Sequence, residues 1–168
     1  AIFVSHLRKT PIRLNGKVEI GPQVAAELLE DIIPTLYSPE SSEAQVVNVV
    51  HRDGRNVMHR APEFMSGAQI EHWCLHAKRQ ACIRDTEAGE SKPTGLTRDD
   101  LRDSIDQSLD RLAETTSAAN LPDHLGHYND PEARIDIVSV TSARPPVRIH
   151  KYVGPEGVST GMHTFGSS

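Results

Sequence analysis

At 168 residues, with 37% hydrophobic and 24% charged side chains, the chain has the make-up of a soluble protein, one ordinary domain or two small ones, and is long enough to bury a core. A net charge of -5 and a pI near 6.0 argue against nucleic-acid backbones as partners, which want a basic face. No apolar run approaches the roughly 20 residues that span a bilayer, and no charged-then-apolar leader is present, so no membrane partner is expected.

Aromatic residues make up only 4% of the chain, so aliphatic side chains must fill the core. Cys74 and Cys82 fall on one predicted helix about 12 Å apart along its axis, too far for a disulfide. Two free thiols suit a reducing cytoplasm, the expected location. The chain opens on Ala1 rather than Met and reads as a piece of something longer.

Taken in order, Ala1 to Thr10 reads as a short helix or helix end stopped by Pro11. Pro22 to Tyr37 reads as a second helix, with Val24, Leu28, Ile32 and Leu36 every fourth residue and Pro34 kinking or shortening its end. Ala44 to Arg52 and Arg55 to Ala61 read as two strands joined by Asp53-Gly54, a pair favoured in type I′ turns. Ser66 to Arg84 is the strongest helix. Ser66 is its N-cap, Gln69 is expected to reach back in a capping box, and Ile70, Trp73, Cys74, Ala77 and Ala81 form one apolar stripe. Small residues, Gly67 and Ala68, stand at its entrance, where free N–H groups and the helix dipole suit an anionic or polar ligand.

Gly89 supplies a natural stop for that helix, and Glu90 to Leu96 reads as linker. Thr97 then caps a fourth helix, with Asp100 at N3 and Leu101, Ile105, Leu109 and Leu112 on one face. Ala118 to Ala133 is rich in Asn, Pro, Asp and Gly and reads as a loop. Arg134 to Thr141 and Val147 to Val153 alternate as strands, and Gly154 to Ser168 reads as a flexible tail. The expected fold class is α+β: a helical body with a β-grasp-like sheet of about four strands, the early hairpin pairing with the late strands. It would occupy residues 1–153.

The stretch SGAQIEHWCLHAKRQA resembles the Gly-Ala helix in the small C-terminal lid of AAA ATPases, and AIFVSHLRKT resembles the segment that opens that lid. The hairpin VVNVVHRDGRNVMHRAPEF set directly before MSGA is similar to the actinobacterial proteasomal ATPases known as ARC or Mpa. GLTRDDLRDSIDQSLDRL is similar to the following helix of that family. The resemblance implies part of a hexameric unfoldase that spends ATP, with Mg, to thread proteins toward a proteasome-type protease. It also implies that Gly67, Ala68 and His6 close over the nucleotide base. The implied partners are an upstream large AAA subdomain, neighbouring subunits of a homohexamer and a proteasome core. The tail GMHTFGSS lacks the family's Gly-Gln-Tyr-Leu ending, which sets direct docking by this C-terminus apart from the family pattern.

No Gly-rich phosphate loop is present, so the chain should not hydrolyse ATP alone and should hold it weakly if at all. Catalytic residues are expected upstream, and none is assigned here. Cys74 lies on the core stripe, where thiols are inert. His72 with His76, and His124 with His127, are pairs that no further ligand at finger spacing completes, so no structural metal site is assigned. An alternative of a different class is a stand-alone β-grasp-like interaction module whose Gly-Ala helix merely packs. A third is a small metal-dependent hydrolase.

Overall fold

Pro34 divides what the periodicity reads as one helix. In the computed structural model, which describes residues 1–145, α1 (Ile2–Leu7) is followed by α2 (Pro22–Leu29) and a separate α3 (Ile32–Tyr37). Proline has no N–H and its ring collides with the carbonyl four residues back, that of Glu30, so the ladder stops there. The helix restarts with Pro34 in the first turn of α3, where no donor is needed. Val24, Leu28, Ile32 and Leu36 are nonetheless all buried.

Between α1 and α2 lies a hairpin that the periodicity does not reveal, β1 (Ile12–Leu14) and β2 (Lys17–Glu19), with Leu14 opposite Lys17. Asn15 and Gly16 form its two-residue turn with φ of 50° and 77°, the left-handed pair a type I′ turn requires. Pro11 and Arg13 also bond Leu96 at 2.8 Å each. That contact needs Gly95: its φ is +91°, and an added Cβ would stand 3.0 Å from the Arg13 nitrogen.

The larger sheet has the antiparallel order β4-β3-β5, built from β3 (Gln45–His51), β4 (Asn56–Arg60) and β5 (Ile137–Ser142). Thus the early hairpin does pair with a late strand, and the fold is α+β as expected. The turn, however, is not type I′. Gly54 donates to the His51 carbonyl at 3.0 Å and His51 donates to Arg55 at 2.9 Å. Arg52-Asp53 are therefore the central pair and Gly54, at φ +83°, is the left-handed third residue of a longer loop. Val47, Val49 and His51 are buried on one face, whereas Met58 across from Asn48 is exposed. Val46 is also buried, because the register shifts between Gln45 and Val47 and turns it out of strict alternation.

After β4 come α4 (Ala61–Phe64) and the long α5 (Gly67–Glu87), then α6 (Arg98–Thr115), which packs against α5, β3 and β5. All five stripe residues of α5 are buried. The helix ends on Gly89, whose N–H bonds Thr86 at 3.1 Å while Glu90 bonds Asp85 at 2.9 Å, a Schellman closure. Thr97 and Asp100 form the expected capping box. The linker is pinned as well. The Asp85 carboxylate accepts from the Thr94 N–H at 2.8 Å, and the Thr94 bonds hold that carboxyl below its usual range.

The stretch expected as a loop holds α7 (Leu121–His124), a 3-10 turn (Gly126–Asn129) and α8 (Pro131–Ile135). Asp130 caps α8 by accepting from Glu132 at 3.0 Å, with Pro131 suited to the first turn. β5 consequently starts three residues later than alternation suggests. The expected strand Val147 to Val153 and the expected flexible tail lie outside the described residues.

Candidate functional site

Ser66 is extended, with φ -123° and ψ 166°, and its hydroxyl accepts the Gln69 N–H at 3.2 Å. The N–H groups of Gly67 and Ala68 precede the first intrahelical bond and so lie outside the ladder. Both residues are exposed. A Cβ added to Gly67 would meet nothing within 4 Å, and its φ is not positive. Neither conformation nor packing among the described residues therefore requires glycine there.

Gln69 does not complete a capping box. Its side-chain amide turns away and donates to Ser108 Oγ at 2.7 Å, fastening the first turn of α5 to α6. The half-buried contact with α6 takes the place of the solvent-facing one.

His6 belongs to α1 and is half-buried. Its carbonyl accepts from Lys78 Nζ at 2.8 Å, and Phe3 stacks on Trp73 with centroids 6.1 Å apart. Lys78 is eleven residues past Gly67, about 16 Å along the helix axis. Gly67 and Ala68 thus form one open turn, while His6 is carried on a neighbouring helix anchored farther along α5.

Two polar clusters escaped the sequence reading. His59, almost fully buried, has Nδ1 2.7 Å from Glu63 Oε2 and Nε2 2.9 Å from the Tyr128 hydroxyl, which ties the 3-10 turn to β4. The His59/Glu63 spacing of four residues was its local signal. Arg144, just past β5, donates through Nε to Asp110 at 2.6 Å, through Nη2 to Asp106 at 3.2 Å, and through Nη1 to the carbonyls of Gln45 and Glu43.

Loss of solvent raises the Asp106 carboxyl above its ordinary value of 3.8, Glu43 and Asp110 add to this, and Arg144 opposes it. An acid raised on folding contributes stability that is complete below the ordinary value and lost as pH climbs through the folded one. Asp106→Asn should therefore match or exceed wild-type stability at neutral pH and flatten its fall above pH 3.8. Urea unfolding at a series of pH values checks both, and a loss at neutral pH comparable to that of Asp110→Asn would contradict them.

Burial pushes the Cys74 thiol up to about 11, in keeping with an inert core cysteine. His124 leans on Phe64 and His127 on Tyr128. No group of three or more His, Cys, Asp or Glu is placed to hold a metal among the described residues.

The model of one family, the AAA+ ATPase lid domain of ARC, matches residues 2–141. The chain belongs to this ARC lid family. No curated protein matches it. As an ARC-type lid it is part of an AAA+ ATPase. Among its described residues no helix is long and apolar enough to cross a membrane.

Proposed function

We propose that this ARC-type lid works in a homohexameric ATPase, where the entrance of α5 seats the adenine and ribose of ATP. Gly67 and Ala68 would lie against the base, with His6 at its edge, while an upstream large subdomain handles the phosphates and Mg. Rotation of the lid against that subdomain would pass the nucleotide state to the next subunit. The work so driven would be unfolding of cytoplasmic proteins for a proteasome-type protease. Alone, this chain would not hydrolyse ATP.

The observation that carries the reading is the glycine at position 67. It sits at an open helix start where the fold would accept a larger side chain, which leaves room for a group approaching from outside and supports the reading. Gly67→Ala in the lid should leave stability unchanged or raise it by about 0.5 kcal/mol. Gly67→Val in the whole ATPase should weaken ATP binding by about tenfold, roughly 1.4 kcal/mol, as read by titration of a fluorescent adenine nucleotide. Wild-type affinity in the valine variant would overturn the proposal.

A further inference from the structure

His72 and His76 stand one turn apart on α5, their rings stacked at 22° with centroids separated by 6.3 Å. His76 Nδ1 lies 3.2 Å from Ser104 Oγ, and that hydroxyl donates to the Trp73 carbonyl at 2.8 Å. A hydroxyl has a single proton to give. With it committed to Trp73, Ser104 can only accept from His76, so the His76 proton is on Nδ1 and the lone pair on Nε2. Second-shell bonding of this kind fixes the tautomer of an imidazole that ligates through its other nitrogen.

Gln80, one turn farther on, has its amide 3.4 Å from His76 Nε2, and with the amide reversed its oxygen points at the same place. His72 is exposed, so its ring is free to swing toward that point. Arg79 and Arg111 are exposed too, and solvent and salt screen their repulsion of a cation. Cys74 faces the core and takes no part.

We propose that His72 and His76 form an open, two-imidazole site for a divalent transition metal, with the Gln80 amide oxygen and water completing its shell. Imidazole suits copper, nickel and zinc. Magnesium prefers oxygen ligands and would not compete. This site is independent of the nucleotide reading.

The test uses the 168-residue chain. Zinc chloride titrated at neutral pH should shift the ring nitrogens of His72 and His76 selectively in long-range proton–nitrogen spectra, with one metal per chain by calorimetry. His72→Ala and His76→Ala should each weaken binding by about tenfold or more, and Ser104→Ala by at least about tenfold through the freed tautomer. His124→Ala should change nothing. Copper should bind more tightly than zinc. Shifts spread across the other histidines, or an affinity untouched by His72→Ala and His76→Ala, would overturn the proposal.

Discussion

Arg144→Ala is expected to destabilise the lid by about 3 kcal/mol, the lower end of what removing one partner of a buried ion pair costs. The guanidinium is 6% exposed and meets two carboxylates one helical turn apart, Asp106 and Asp110. Without it those two charges stand side by side on one face of α6, and the carbonyls of Gln45 and Glu43 lose a donor. The lower end applies because Asp106 is 48% exposed and water partly replaces the lost partner. Lysine should recover less than half, since a point charge cannot fork to both carboxylates. The Ala143 N–H, which bonds Val46 at 2.9 Å, should lose hydrogen-exchange protection first. Urea unfolding with amide exchange reads both effects, and a loss under about 0.5 kcal/mol would place Arg144 among ordinary surface residues.

Trp73→Ala should cost about 3–5 kcal/mol. The side chain is 1% exposed and is the contact through which Phe3 holds α1 on α5. A six-residue helix has no stability of its own, so α1 should fray before the remaining core melts, and His6 should lose the Lys78 anchor with it. Trp73→Phe should cost less than half as much. It keeps the aromatic contact and removes an indole N–H that is buried without a partner among the described residues. Thermal unfolding of the two variants, with exchange at α1, measures the difference; equal losses would mean that the contact with Phe3 does not hold α1.

Much of this was legible because it is local. The stripe from Ile70 to Ala81, the Thr97 box and the Gly89 stop each depend on residues within a turn or two of one another, and each took its expected place. The β1–β2 hairpin was missed although Asn15-Gly16 is a strong turn signal, because strands of three residues are too short to show alternation. Asp53-Gly54 misled for a related reason: the pair marks a turn but does not set how many residues close it. Gln69 had two possible partners, and only the approach of Ser108 on α6 decided between them. Arg144 and the His59–Tyr128 contact join residues far apart in the chain, which no local pattern encodes. The proposed place of Gly67 and Ala68 against a nucleotide base rests on resemblance alone. What the fold adds is that their turn is open.

The claim that this turn receives a purine can be read most directly by photolabelling. Irradiating the whole ATPase with an azido-adenine nucleotide and mapping the adducts by mass spectrometry should place label on the peptide that holds Ser66 to Gln69, with the remainder near His6, and excess ATP should abolish it. Adducts confined to other parts of the ATPase, with none in this lid, would contradict the account.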